Sequence, residues 1–396
     1  MIRIETLVIK YRAYLFCMAL CLAVACKKPY LPPVVEAPNS YLVVEGVLNA
    51  SAFVTDTTFI KLSHTVKLAD KTGTSAETGA RITVEGDGFS RGLIELSGGS
   101  YYITGLGLNT ADKYHIKIVT SSGQVYESDP VEVKITPEID NIGFRIKDNQ
   151  LQVLSNAHDA TNNTRYYRYE YDETWRFHSR YESSYKVENG EVVRRAQNEG
   201  IYNCFAHEKS NVIALTSTSK LAQDVVSDNV VANIGLESEK ISVRYSMLLT
   251  QYALTKEAYE FWENLKKNTE QLGSVFDALP SQLTGNIHSV NNPAEPVIGY
   301  IGASTVQTKR VYIDRSQLPE DLRPKYPYDC SLVDALYKGL QGIDEVAGGI
   351  LNGIYLPVSA ITDTRGKIVG FTRSEPACVD CTLRGVRNPP AFWTDN

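Results

Sequence analysis

The stretch Lys113-Tyr114-His115-Ile116-Lys117-Ile118-Val119 sets Tyr114, Ile116 and Ile118 on one side of an extended chain, with His115 and Lys117 on the other. Successive side chains of a strand point to opposite faces, so this period of two predicts a strand with one buried and one solvated face. His115 falls on the solvated one. Working outward, strand signals recur at short intervals, over 41–48, 57–64, 80–85, 92–95, 101–104 and 131–135. Turn chemistry separates them: Gly86-Asp87-Gly88, Gly98-Gly99-Ser100 and Ser121-Ser122-Gly123. About seven short strands in roughly 95 residues predict a β-sandwich of immunoglobulin-like or transthyretin-like type over residues 40–136.

Thr136-Pro137 closes that region, and a larger one spans 137–396. Strands are expected over 139–146 and 151–155, then in an aromatic run over 166–177. There Tyr167, Tyr169 and Tyr171 share one face, and Arg168, Glu170 and Asp172 the other. Rings packed in a core are the simplest reading of the tyrosine face; a ligand-binding face is the alternative. Residues 179–200 are polar and charged and read as a loop or excursion. Another long strand is expected over 240–254. Thr255 then caps a helix over 255–272, with Ala258, Phe261, Trp262, Leu265 and Leu272 on one stripe, Glu263 and Lys267 paired, and Gly273 as its stop. Trp262 reads as a core anchor. Strand returns over 297–314, a short helix is expected over 332–340, and the tail 370–393 reads as loop. The fold class is mostly β: a sandwich followed by a larger β-rich (α+β) domain with one amphipathic helix.

The N-terminus bears on compartment. Arg3, Lys10 and Arg12 precede an uncharged apolar run over 13–25 that ends Leu22-Ala23-Val24-Ala25-Cys26. A basic head, a short apolar stretch and small residues before a cut describe a secretory signal. The run falls short of the roughly 20 residues a membrane-crossing helix needs. Cys26 directly after the small residues makes the segment a lipobox, because a thiol must receive the diacylglycerol. The chain is therefore expected to be exported and membrane-anchored through lipid on Cys26, with 1–25 removed and the proline-rich 26–39 as an extended tether. Losing 1–25 removes three bases and one acid (Glu5), which takes the formal charge from −6 to −8. That balance argues against a nucleic-acid partner, which favours a basic face.

Cys17 and Cys21 leave with the signal and Cys26 is acylated. Cys204, Cys330, Cys378 and Cys381 remain, an even number in an oxidising compartment, and are expected to form structural disulfides. Four cysteines allow three pairings, and the sequence does not choose among them. Cys378-Val379-Asp380-Cys381 lacks the strand–helix setting of a redox motif, and the scattered histidines supply no zinc ligand spacing.

The patterns of nucleophile elbow, phosphate-binding loop, zinc-protease helix and dinucleotide fingerprint are all missing from the sequence. Acid pairs such as Asp172-Glu173 and Glu320-Asp321 are too common to suggest a glycosidase. No catalytic residue, metal or cofactor is expected.

Several blocks in order carry a more specific signal. Tyr41-Leu42-Val43-Val44-Glu45-Gly46 follows the tether; Arg244-Tyr245-Ser246 leads to Gln251-Tyr252-Ala253-Leu254 and Tyr259-Glu260-Phe261-Trp262. Gly273-Ser274-Val275-Phe276-Asp277 precedes Gly285-Asn286-Ile287-His288 and Asn292-Pro293-Ala294-Glu295-Pro296-Val297-Ile298-Gly299-Tyr300. Cys378, Cys381, Gly385, Pro389 and Phe392-Trp393 end the series. This resembles the domain of unknown function 4249 family, exported lipoproteins of Bacteroidota-type bacteria. The resemblance brings no activity or catalytic residue. It implies an outer-membrane lipoprotein that is a non-catalytic accessory or binding partner of a TonB-dependent receptor. A stand-alone surface glycan- or peptide-binding lipoprotein and a hydrolase with a dispersed site are the alternatives. Three positions depart from the family pattern: Ser289 where a cysteine is expected, Val386 where a second glycine is expected, and Lys27-Lys28 in place of acids after Cys26. The last leaves open which face of the membrane the chain occupies.

Overall fold

A computed structural model describes residues 41–66, 75–270 and 285–395. The leader, Cys26, the tether and the end of the expected helix (271–272, with Gly273) lie outside the described residues. The chain is mostly β, and among the described residues no helix is long and apolar enough to cross a membrane.

The strand Lys113–Val119 has the boundaries its alternation predicts, with Tyr114, Ile116 and Ile118 buried. It sits in a continuous hydrogen-bonded path that runs Ile287–Ser289, Val125–Ser128, Lys113–Val119, Val131–Lys134, Gly302–Ser304, Leu42–Asn49, Thr57–His64, Ser100–Thr104. Apolar residues of this path, among them Leu42, Ile60, Leu62, Ile116 and Ile118, close on one core together with Ile82 of Arg81–Gly86, a strand paired with Lys113–Val119. His115 faces outward toward Glu85 at 3.5 Å.

That core also contains Ile287, Val297, Ile301 and Ala303, from a stretch the sequence reading places beyond residue 137. Gly302–Ser304 runs parallel between Leu42–Asn49 and Val131–Lys134. Its approach depends on absent side chains: a Cβ at Gly299 (φ 142°) would overlap the Val44 carbonyl, and one at Gly285 the Gly299 carbonyl. Asn286, buried, fixes the turn by bonding both the N–H and the carbonyl of Ile301 at 2.9 Å. Hence the first core is not complete within 40–136. Pairing across more than 150 residues leaves no local trace in sequence.

A second core lies between two further sheets. One orders Ile139–Lys147, Gln150–Asp159, Asp224–Gly235; the other Asn203–Lys209, Tyr166–His178, Arg244–Ala253, Val306–Asp314. Tyr167, Tyr169 and Tyr171 are buried inside it, so the tyrosine face is core. The Tyr167 hydroxyl donates to the buried Asp224 carboxylate, which also accepts from Thr218.

A third, smaller sheet, Val333–Leu336, Ile368–Ser374, Leu356–Thr362, carries its own core of Ala335, Val346, Ile350 and Phe371. Here the sequence reading needs correction. The helix expected over 332–340 is the strand Val333–Leu336, in which Ala335 is buried, Leu336 half-buried and Val333 and Asp334 exposed. Part of the loop expected over 370–393 is the strand Ile368–Ser374 and the short helix Pro376–Val379. Residues 179–200 contain a hairpin, Tyr185–Glu188 with Glu191–Arg194. Tyr185 packs on Phe371 at 5.0 Å, and Ser183 donates to the Pro357 carbonyl at 2.7 Å. The strand expected over 297–314 breaks into Ile298–Gly299, Gly302–Ser304 and Val306–Asp314.

The helix runs Lys256–Glu270. Thr255 caps it, its hydroxyl accepting from the Ala258 N–H at 3.2 Å, and Lys267 pairs with Glu263 at 2.8 Å. Ala258 and Phe261 are its buried residues. Trp262 is half-buried and stacks on a cation, so it is not the core anchor its place in the stripe suggests.

Candidate functional site

The outward face of the Tyr166–His178 strand is not plain solvent surface. Arg168 is only 7% exposed. Its guanidinium lies between the Tyr252 ring (4.7 Å) and the Trp262 ring (4.2 Å). Tyr252 is its partner in the adjacent strand, while Trp262 reaches over from the helix. A guanidinium is flat and weakly hydrated for its charge, which makes it the cation that stacks best on aromatic faces. Glu170, two residues along the same face, meets Arg168 at 3.0 Å and accepts from the Tyr252 hydroxyl at 3.1 Å. Burial, and then the Glu170 carboxylate beside it, push the Tyr252 phenol above its ordinary value.

This stack floors a cleft of about 500 Å³. Lys209 and Val306 flank the floor, and the opposite wall comes from the first sheet: Glu45, Asn49, Phe59 and Lys61. Phe59 is 56% exposed there. A larger cleft, about 740 Å³, lies on the other side of the helix and is lined by Tyr166, Phe261 and Tyr300 with four acids and four bases. Several of those charges are already engaged: Lys134 with Glu132 at 3.3 Å, and Lys256 with Glu260 at 3.5 Å. Bonds from its own backbone N–H and from Thr255 hold the Glu257 carboxyl below its usual range.

Among the residues singled out from sequence, the four cysteines come together in pairs. Cys204 bonds Cys381, and Cys330 bonds Cys378. The two cysteines of the CxxC thus take different, distant partners, and both lie fully buried. Cys26 lies outside the described residues. Ser289 is buried, and its hydroxyl accepts from the Asn292 N–H at 3.2 Å. Val386 exchanges two backbone bonds with Phe205. Among the described residues no group of three or more His, Cys, Asp and Glu is placed to hold a metal ion.

The sequence reading did not pick out the Arg168 stack. Alternation put Arg168 and Glu170 on one face, but nothing local shows that Tyr252 and Trp262 close over them.

The described fold and its clefts define a mostly β protein stapled by two disulfides. The chain belongs to the family described as Domain of unknown function (DUF4249), whose model matches residues 27–310. No curated protein matches it. Among solved structures it is similar to a Bacteroides uniformis ATCC 8492 protein described as a candidate carbohydrate-binding protein. That match has 11% identity over 55% of this chain and 91% of the other, with a TM-score of 0.15.

Proposed function

We propose that this chain is an exported lipoprotein, held at the outer membrane by acyl groups on Cys26, that binds its ligand without transforming it. The observation that carries this reading is the division of labour among the cysteines. The four in the folded body are committed to two disulfides, a state that persists in oxidising compartments. Cys26 stands apart, after an apolar leader and directly before the first residue of the family match. Stacked aromatic rings and paired charges around both clefts are groups that hold a ligand in place. In this role the protein serves as an accessory to a TonB-dependent receptor. Labelled palmitate should enter the wild-type product and be lost in Cys26→Ser. Mild detergent extraction of the wild type should co-purify a β-barrel receptor. Export without palmitate, or a monomer with no companion under every extraction condition, would overturn it.

A second reading, a surface lipoprotein that captures saccharides alone, is favoured by one observation: Phe59, exposed on the wall of the Arg168 cleft. Quenching of tryptophan fluorescence by oligosaccharides, in preparations free of receptor, distinguishes it.

A further inference from the structure

We infer that the Arg168 cleft is a binding site for an acidic saccharide, with Arg168 as the group that takes the sugar carboxylate. The inference rests on the reading that the chain binds rather than transforms its ligand. It begins with an imbalance. Arg168 is more than nine-tenths buried, and a cation that far from water needs its donors satisfied. Among the described residues its one carboxylate partner, Glu170, is reached through a single nitrogen and is shared with Tyr252. Among the described residues the Arg168 Nε, itself shielded from solvent, has no hydrogen-bond partner. The two flanking rings fix the guanidinium plane, so little further entropy is lost when a ligand docks. A guanidinium held in this way is a fixed donor for a charge-assisted bond to a carboxylate.

The rim adds to the argument. Lys61 and Lys209 line the same cleft, both exposed. Neither has a carboxylate within ion-pair distance among the described residues. With Arg168 they give three positive charges against Glu45 and Glu170, on a chain whose formal net charge is −6. A locally positive cleft on an acidic protein concentrates anions.

Three features favour a sugar over an extended peptide. Peptides commonly bind by adding a strand to an open sheet edge. Here the flanking strands Leu42–Asn49 and Thr57–His64 are paired on both sides, and Arg168 itself has Leu215 and Tyr252 as strand neighbours. The lining mixes acceptors (Glu45, Glu170) with donors (Lys61, Lys209), which suits hydroxyls that both donate and accept. Phe59 offers a flat apolar surface for the C–H face of a sugar ring. The volume, about 500 Å³, lies within the range of small-molecule sites.

The test is calorimetry on the full-length product extracted in mild detergent, titrated with a galacturonic acid trimer. The uncharged galactose trimer and a short peptide with a free C-terminal carboxylate are run in parallel. The acidic trimer should bind at least about tenfold more tightly than the neutral one, as expected for loss of a charge-assisted pair. Its affinity should fall as salt rises to about 0.5 M, where screening shortens to a few ångströms. Arg168→Lys keeps the charge but removes the guanidinium and should weaken binding about tenfold. Lys209→Gln, on the exposed rim, should weaken it a few-fold with an unchanged melting temperature, which keeps the test valid if the Arg168 variant folds poorly. Equal binding of the two trimers, full affinity in both variants, tighter binding of the peptide, or no binding of any probe would overturn the assignment. Palmitate incorporation is read separately, so failure of the cleft and failure of the lipoprotein reading are told apart.

Discussion

The Cys330–Cys378 bond closes a loop of 48 residues, and that loop contains the whole third sheet. Chain entropy alone assigns such a crosslink about 4 kcal/mol, because opening the region with the bond intact frees far fewer conformations. The region's core is Ala335, Val346, Ile350 and Phe371, and it docks through Ser183 to Pro357, Ser184 to Val358 and Tyr181 to Cys378. The double variant Cys330→Ser, Cys378→Ala should therefore open locally, with Cys204–Cys381 still intact. About 4 kcal/mol corresponds to roughly a thousandfold change in the opening equilibrium. Hydrogen exchange followed by mass spectrometry should show that loss of protection in peptides covering Val333–Leu336 and Ile368–Ser374. Peptides from Arg244–Ala253, in the second core, should keep theirs. A change below about threefold in the third sheet, or an equal loss in both places, would refute the idea that the crosslink acts on a separately opening unit.

Three further outcomes follow from local geometry. Gly299→Ala puts a methyl group into the Val44 carbonyl at a φ of 142° and should cost about 2–3 kcal/mol in urea unfolding; a loss under about 0.5 kcal/mol would show that the 298–304 segment has room to shift. Asp224→Ala leaves the hydroxyls of Tyr167 and Thr218 without their shared acceptor and should cost about 3 kcal/mol by the same assay, whereas a near-neutral result would mean that those groups find other partners. Burial pushes the Asp159 carboxyl up, but the bonds it accepts from Thr161 and Thr164 outweigh this and hold it at about 2. A carboxyl lower in the folded than in the unfolded state, where it is about 3.9, stabilises fully above the unfolded value and loses that contribution as pH falls toward the folded one. Asp159→Asn should thus flatten the fall in stability between about pH 4 and pH 2; an unchanged acid slope would count against those bonds.

Sequence alone showed most where a strand is half-buried and its neighbours are near. Lys113–Val119 and Thr57–His64 appear with the bounds their alternation gives, since one wetted face imposes a period of two. Strands without that contrast carry no such signal. Asp224–Gly235 carries Asp224, Asp228 and Asn229, its register against Gln150–Asp159 shifts twice, and Asp228 takes a positive φ, so its pattern is broken. Val333–Leu336 shows the opposite error: apolar residues spaced as on a helix, of which only Ala335 is buried. Trp262 is the same problem at the cleft. Helical periodicity states which residues share a stripe, and Trp262 does share one with Ala258 and Phe261, but it cannot state that the stripe's edge meets a guanidinium from a strand some ninety positions earlier. The cysteines were legible as a set and illegible as pairs, because pairing depends on where Cys204 and Cys330 arrive in space.

The feature that makes the Arg168 cleft a fixed shape is the way the chain passes between its first two cores. It passes twice. Val131–Lys134 leads out of the first sheet into Ile139–Lys147, and Gly302–Ser304 leads out beside it into Val306–Asp314. At the crossing the two are joined residue to residue. The Thr136 N–H donates to the Thr305 hydroxyl at 2.8 Å, the Thr136 hydroxyl donates to the Thr305 carbonyl, and the Thr305 N–H donates to the Lys134 carbonyl at 3.0 Å. Ala253, next to Tyr252 of the stack, donates to Thr136 at 2.9 Å, and Gln251 to the Pro137 carbonyl at 2.8 Å. A single strand between two cores is free to act as a hinge; two parallel strands bonded to each other and to the floor of the cleft resist bending in the sheet plane and twisting alike. Glu45 and Phe59 on one wall and Arg168 and Tyr252 on the floor are thereby held at a set separation before any ligand arrives. A ligand then does not have to order the walls, and the binding free energy goes into contacts rather than closure.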